Sequence, residues 1–172
     1  MPVPDDLLLS SFLEAERDVV VSALVDWLRI PSISAQPLHA PDIERSAQWC
    51  ADRMRAAGLE HVEILPTSGH PAVYGDWLHA DGDTPNPGTD GDAPNPGADG
   101  DTPNPGAGSG ALTALVYGHH DVQPVDPLDE WHSPPFEPTV RDGQLFARGA
   151  IDDKGQVLYH LEAVRGLLAG GG

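Results

Sequence analysis

Apolar residues recur at intervals of three or four positions in three stretches of the chain, which is the period of an amphipathic helix. The first stretch runs from about residue 10 to Ile30, where Pro31 prevents continuation. The second begins near Asp42 and ends at Gly58, a typical residue just beyond a helix C-terminus. The third covers about 153–168. The three predicted apolar stripes are Val20, Leu24, Trp27 and Leu28; Ile43, Ala47, Cys50, Ala51, Met54 and Ala57; and Val157, Leu161, Val164 and Leu168.

Shorter stretches between these helices have the composition of β-strands. They are 61–65, 72–78, 137–140 and 144–147. The last two flank Asp142-Gly143, a dipeptide that favours a tight hairpin turn. A further apolar run, Ala111 to Val116, predicts a buried strand that opens into a polar loop. Together, the helices and strands predict an α/β domain.

Residues 81–110 do not fit this pattern. A nine-residue unit that begins Asp-Gly-Asp occurs there in three near copies, with two prolines per copy and no apolar side chain larger than alanine. Such a segment cannot bury a core, which predicts a disordered insertion in the connection between two strands. Calcium binding is the alternative, but the glutamate of an EF-hand loop and the aliphatic residues of a β-roll are missing. We therefore expect one domain formed by 1–80 and 111–172.

Charge and cysteine content narrow the possible functions. The chain has 9 Lys+Arg against 27 Asp+Glu, a formal charge of -18, which argues against nucleic acid or an anionic membrane as partner. Its single cysteine, Cys50, excludes an internal disulfide and a cysteine-based zinc cage, and its place on an apolar stripe predicts a buried thiol. A basic leader and a run of about 20 apolar residues are both missing, so we expect a cytoplasmic protein.

The candidate chemistry begins with His119-His120-Asp121, directly after the predicted strand. Residues i and i+2 of an extended backbone face the same way, so His119 and Asp121 point together and His120 points away. A carboxylate that holds the second ring nitrogen of a histidine is typical of a zinc ligand. The alternative for this segment alone is a polar turn.

A second acidic cluster, Asp152-Asp153, precedes the last predicted helix. Two carboxylates at this position could cap the helix, or one could supply the bridging oxygen ligand of a paired metal site. Lys154 is the only lysine of the chain. Its position is either chance, or it pairs with the acidic cluster and fixes the cluster's geometry.

These motifs resemble those of a known enzyme family. The matching segments are Gly-His-His-Asp-Val-Gln-Pro-Val at 118–125, Trp-His-Ser-Pro-Pro-Phe-Glu-Pro at 131–138, Asp-Gly-Gln-Leu at 142–145, and Arg-Gly-Ala-Ile-Asp-Asp-Lys-Gly at 148–155. Together they resemble the co-catalytic di-zinc metallopeptidases of family twenty. That family includes carnosinase-like dipeptidases, aminoacylases, acetylornithine deacetylase, succinyl-diaminopimelate desuccinylase and glutamate carboxypeptidase. The sequences of these segments are most similar to those of the dipeptidase branch.

The resemblance implies a fold, a cofactor and roles for individual residues. The fold would be part of a three-layer α/β catalytic domain, with helices on both faces of a central mixed sheet. The cofactor would be two zinc ions, replaceable by cobalt or manganese in vitro. His119 would bind one zinc, Asp121 would orient His119, and Asp152 would bridge both ions, with a cis peptide bond between Asp152 and Asp153. His120 and His132 match no ligand position, so we treat both as polar loop or rim residues.

The resemblance also implies residues that this sequence lacks. The family needs a downstream Glu-Glu pair that includes the general base, then another carboxylate ligand and a late histidine. Glu162 and His160 do not match these positions. We therefore expect an N-terminal fragment, without the lid or dimerisation domain, that is inactive alone and binds zinc weakly. The complete protein would be a homodimer.

The implied activity is hydrolysis of the amide bond of dipeptides or short peptides. One alternative is an N-acyl amino acid deacylase of the same family, and another is a truncated product without catalytic activity.

Overall fold

The computed structural model describes residues 6–79 and 113–169. It is a mixed α/β structure, as predicted. The helices are α1 (Asp6–Leu28), α2 (Ala40–Ala56) and α3 (Lys154–Ala169). The strands are β1 (Glu60–Leu65), β2 (Ala72–Asp76), β3 (Thr139–Arg141) and β4 (Gln144–Phe146). Short 3-10 helices cover Pro37–His39 and Leu128–Glu130.

The chain clusters into two compact units. One comprises Met1–Asp76 and Tyr117–Gly172, and the other comprises Trp77–Val116. The predicted disordered insertion, 81–110, lies outside the described residues, so its state stays a prediction. None of the helices within 6–79 and 113–169 is long and apolar enough to cross a membrane.

The apolar stripes predicted for the first two helices form the core. Trp27, Cys50 and Leu158 cluster at its centre, and the ring of Trp49 stacks on that of Trp27 at a centroid distance of 4.3 Å. The indole Nε1 of Trp27 donates a hydrogen bond to Ser46 Oγ at 2.9 Å, so its one polar group is satisfied although it is fully buried. The buried state of Cys50 is confirmed.

The stripe predicted for the third helix is correct only in part. Leu161 is buried as expected, but the other buried residues of α3 include Leu158 and Glu162. Glu162 is buried because arginines from two helices neutralise it. Arg53 Nε of α2 donates to its Oε1 at 2.7 Å, and Arg165 Nε donates to its Oε2 at 2.7 Å. This ion-pair network joins α2 to α3, and because of it a carboxylate takes a place that the apolar pattern assigns to the solvent side.

Helix ends and turns follow the sequence signals. Gly58, just beyond α2, has a φ of +92°, which confirms its role after the helix C-terminus. Asp142 and Gly143 have φ values of +51° and +75° and connect β3 to β4, so the predicted hairpin is confirmed with a type I′ turn.

The buried strand predicted for 111–116 is wrong over the residues that the structure describes. Residues 113–119 carry no strand, and 111–112 lie outside the description. Tyr117, which continues the run, is 86% exposed. A strand exists only where a neighbour completes its hydrogen-bond ladder, and the described strands pair as β1 with β2 and β3 with β4 instead. An apolar run favours a strand but does not supply the partner.

Candidate metal centre

The loop 118–122 is anchored to the helical part of the molecule. Val122 is 2% exposed, and its backbone N–H donates to the Ser32 carbonyl at 2.8 Å. The His120 carbonyl accepts hydrogen bonds from Ser32 Oγ at 2.8 Å and from Ser46 Oγ at 2.7 Å. The loop therefore has a fixed position before any ligand binds. The sequence shows serines at 32 and 46, but only the fold reveals that both reach this loop.

His119 lies between two carboxylates. Its Nδ1 is 3.0 Å from Asp121 Oδ1, and its Nε2 is 3.0 Å from Asp152 Oδ1. The first distance confirms that side chains i and i+2 of this loop point together. Ser34 Oγ donates to the other Asp121 oxygen, Oδ2. This hydrogen bond orients the Asp121 carboxylate, which in turn orients the His119 imidazole.

The two adjacent aspartates take different places. Asp152 faces the His119 ring, whereas Asp153 Oδ2 accepts a hydrogen bond from the His119 backbone N–H at 3.0 Å. The Asp152–Asp153 peptide bond is cis, as the family resemblance implied. Sequence spacing could not separate the two residues, and the structure turns only Asp152 towards the imidazole.

Two glycines permit this arrangement. A Cβ at Gly155 would lie 1.9 Å from the backbone oxygen of Ala150, which no real Cβ tolerates. A Cβ at Gly118 would lie 2.4 Å from Val157 Cγ2 and 2.8 Å from Asp153 Oδ2. The turn before α3 therefore closes on itself at Gly155 and against the histidine loop at Gly118.

Lys154 does not pair with the acidic cluster, so that hypothesis is wrong. Its side chain is fully buried, and Nζ donates to the Trp27 carbonyl at 3.0 Å and the Ile30 carbonyl at 2.8 Å. These carbonyls lie at the C-terminal end of α1, where cations are stabilised. Burial lowers the pKa of Lys154 to about 7, against the opposing charges of Asp121 and Asp42.

The surroundings of His119 favour a positive charge. Its partial burial lowers the pKa of the imidazole, but the hydrogen bond with the Asp121 carbonyl, the charge of Asp121 and the hydrogen bond with Asp152 together raise that pKa above its usual value. Because Lys154 is turned away, no described lysine or arginine pairs with Asp121, Asp152 or Asp153. An imidazole nitrogen beside an excess of carboxylate oxygens is a donor set that divalent zinc accepts.

The other candidate histidines lie elsewhere. His120 is half-buried, its Nε2 is 3.0 Å from the Pro71 carbonyl, and burial lowers its pKa. His120 is therefore a loop residue, as expected, and its side chain packs against the segment before β2. His132 is exposed. His160 is exposed on α3, with its ring edge-on to Tyr159.

The donor set is small. No group of three or more His, Cys, Asp or Glu side chains that could hold a metal occurs within residues 6–79 and 113–169. His119 Nε2 and Asp152 Oδ1 can face one ion, whereas Asp121 is hydrogen-bonded to the other ring nitrogen of His119, Nδ1. Glu162 is engaged by Arg53 and Arg165. The described residues therefore fit two ligands of a zinc site.

Comparisons with known proteins agree with this chemistry. Residues 115–172 match the model of peptidase family M20/M25/M40. The chain is 56% identical over 52 residues to the succinyl-diaminopimelate desuccinylase of Aromatoleum aromaticum, which covers 30% of this chain and 14% of that protein. It is 30% identical over 160 residues to the cysteinylglycine-S-conjugate dipeptidase of Corynebacterium striatum, 93% of this chain and 29% of that one.

The fold of this chain is also similar to that of a solved dipeptidase. The crystal structure of human carnosine dipeptidase 1 matches with a TM-score of 0.69 at 26% identity, over 97% of this chain and 32% of that chain. This chain thus spans about a third or less of the length of each relative. The family match includes Asp152, and the Corynebacterium striatum dipeptidase and the human structure match over 93% and 97% of this chain. The chain belongs to peptidase family M20/M25/M40.

Proposed function

We propose that this chain supplies part of the active site of a zinc-dependent hydrolase that cleaves the amide bond of dipeptides or short peptides. The observation that carries the proposal is His119, held at Nδ1 by Asp121 and facing Asp152 through Nε2, each at 3.0 Å. Similarity to two dipeptidases, one from Corynebacterium striatum and one human, supports the substrate class.

His119 and Asp152 would hold the metal. Asp121 keeps the imidazole proton at Nδ1, which leaves the Nε2 lone pair free for an ion. Only one oxygen of Asp152 has a partner among the described residues, so the second is available to a neighbouring ion. Zinc bound there would supply Lewis-acid polarisation of the amide carbonyl and activation of a water molecule.

The described residues leave two roles unfilled. Zinc in a catalytic site takes about three protein ligands, and a general base must reach the attacking water. Among the described residues no third His, Cys, Asp or Glu joins His119 and Asp152 in a group that could hold a metal. Glu162 is bound by arginines, and the Asp153 carboxylate accepts from the His119 backbone. We propose that residues outside this chain provide both. The 172 residues alone would then bind zinc weakly and show no turnover.

A second candidate is removal of an acyl group from an N-acyl amino acid. The 56% identity over 52 residues to a succinyl-diaminopimelate desuccinylase supports it. Both reactions hydrolyse an amide with the same residues, so the difference lies in what the rest of the substrate contacts.

The test is a substrate panel on the product of the complete reading frame, loaded with zinc. We expect turnover of unblocked dipeptides, with N-succinyl amino acids cleaved more slowly. His119→Ala and Asp152→Asn should reduce turnover to background, while His160→Ala, which removes an exposed histidine of α3, should not. Faster cleavage of the succinyl substrates would favour the second candidate. Unchanged turnover by His119→Ala would contradict both.

A further inference from the structure

A cavity of about 370 Å³ lies beside Asp152, on the side of the hairpin. Its wall is formed by Trp131 and its neighbours, by the β3–β4 hairpin and by the turn that leads to Asp152. Two arginines, Arg141 and Arg148, line it together with Asp152. The proposed mechanism uses neither arginine.

These two arginines lack acidic partners, although the chain is strongly acidic. Arg29, Arg45, Arg53, Arg55 and Arg165 each form an ion pair with a carboxylate. By contrast, the Arg141 side chain makes no hydrogen bond or ion pair with the residues in 6–79 or 113–169. The Arg148 side chain donates only to the Pro124 carbonyl, at 3.3 Å, within the same ranges. Two guanidinium groups therefore meet at one cavity, and neither is paired with a carboxylate of the described residues.

Aromatic rings fix the planes of both groups. The Arg141 guanidinium lies over the Phe146 ring at 4.2 Å from its centroid, and that of Arg148 lies over Trp131 at 5.1 Å. Stacking occupies the face of a guanidinium and leaves the N–H donors at its edge free. Both Nε atoms are buried, and neither finds an acceptor in the part of the chain that the structure describes. An anion in the cavity cannot reach these buried Nε atoms, so a carboxylate there would accept two parallel N–H bonds from the terminal nitrogens of a guanidinium whose plane is fixed.

We propose that this cavity binds a carboxylate of the substrate, with Arg141 as its main specificity-determining residue. The inference rests on the proposed function in one respect, which is that Asp152 marks the reacting end of the cavity. Two acidic side chains also line it, but Glu130 is exposed and Asp152 faces His119. A substrate would then carry a free carboxylate near the scissile amide, as the C-terminus of a dipeptide or as the end of a dicarboxylic acyl group.

The test measures anion binding, so it does not depend on turnover. The probe is succinate, titrated by NMR against the 172-residue chain in metal-free buffer, so that no ion can hold the carboxylate. Succinamide, which has the same shape without charge, and inorganic phosphate are the comparison ligands. Arg141→Gln removes the proposed donor. Arg29→Gln makes the same change of charge at an exposed ion pair, and is the matched control.

We expect saturable succinate binding that Arg141→Gln weakens at least tenfold and Arg29→Gln leaves unchanged, with resonances of the hairpin moving on binding. Succinamide should not compete. Equal succinate affinity in Arg141→Gln, absence of saturable binding, or phosphate binding as tight as succinate would each overturn the carboxylate site. None of these results would bear on whether His119 and Asp152 hold zinc.

Discussion

The loop 118–122 has two sides that differ in nearly every respect. On one side, Val122 and the His120 carbonyl are held against the helices by Ser32 and Ser46. On the other side, the His119 side chain is 40% exposed and that of Asp121 31% exposed. These two side chains pair with each other, His119 also with Asp152 and Asp121 also with Ser34. One loop therefore joins a packed face to a reactive face.

The precision of the site comes from the packed side of the loop. The reactive face contains few contacts of its own, and its side chains are positioned because the backbone beneath them is fixed by the core. Hydrogen bonds from Ser32 and Ser46 fix the His120 carbonyl. Because the backbone is fixed there, the directions of the neighbouring His119 and Asp121 side chains are fixed too. Changes on the packed face should therefore alter stability, and changes on the reactive face should alter metal binding.

The largest effect is expected where the turn before α3 closes. Gly155→Ala places a Cβ 1.9 Å from the Ala150 oxygen, a clash with backbone that no side-chain rotation relieves. We expect a loss of at least about 4 kcal/mol, in the range that unfolds marginal domains. Urea unfolding followed by circular dichroism measures it. Gly143→Ala is the control, since its Cβ would meet nothing within 4 Å, although its φ of +75° gives it some strain. Equal stability of Gly155→Ala and the unmodified chain would contradict the turn geometry.

The next effect concerns the packed face of the loop. Ser46→Ala removes the acceptor for Trp27 Nε1 and one donor to the His120 carbonyl, and it leaves a buried indole N–H without a partner. We expect a loss of about 2 kcal/mol, because an unsatisfied buried donor costs about 1–3 kcal/mol. Thermal unfolding is the measurement. Ser68→Ala, at an exposed serine, should change stability by less than about 0.5 kcal/mol; the same loss in both variants would speak against a specific role for Ser46.

Sequence patterns predicted much of this fold because helix signals are local. The period of apolar residues, Pro31 and Gly58 located α1 and α2 to within a few residues. The strand at 111–116 was not predictable in the same way, since pairing depends on a distant segment. The burial of Lys154 and of Glu162 was not predicted, because their partners lie 124 and 109 positions away along the chain. A buried charge cannot be told from a surface charge until those partners are known.

In the site, too, the local relationships were predictable from the sequence and the distant ones were not. The i, i+2 rule joined His119 to Asp121 correctly, and their side chains meet at 3.0 Å although residue 120 between them is a bend. The choice of Asp152 over Asp153 came from the family resemblance alone, because the cis peptide that separates them has no local signal. Ser34, which fixes Asp121 from 87 positions away, and the arginines of the cavity were missed.

On the reactive face, Asp121→Asn should weaken metal binding without unfolding the chain. The amide no longer carries the charge that holds the imidazole proton at Nδ1, and loss of such a partner typically costs about 10–100-fold in metal affinity. Calorimetric titration with zinc measures it. Asp129→Asn, at an exposed residue of the 3-10 helix, is the control. If both variants bind zinc as the unmodified chain does, Asp121 has no part in orienting His119.

At pH 9 the smallest change is expected at Cys50, beneath the packed face. Burial raises the pKa of this thiol to about 12, so the native protein keeps the proton between pH 9 and 12 whereas the unfolded chain loses it. The free energy of unfolding should therefore fall as the pH rises through that window. At pH 9 iodoacetamide should leave native Cys50 unmodified and alkylate it in urea. Rapid labelling of the native chain would show that the core under the loop is open.

The most direct test of the central claim is zinc affinity of the 172-residue chain, of His119→Ala and of His160→Ala, measured by titration against a chromophoric chelator. We predict binding far weaker than the roughly 10–16 kcal/mol of structural zinc sites. We also predict that this weak binding is lost in His119→Ala and unchanged in His160→Ala. Tight stoichiometric binding by the chain alone, or equal affinity of His119→Ala and the unmodified chain, would contradict it.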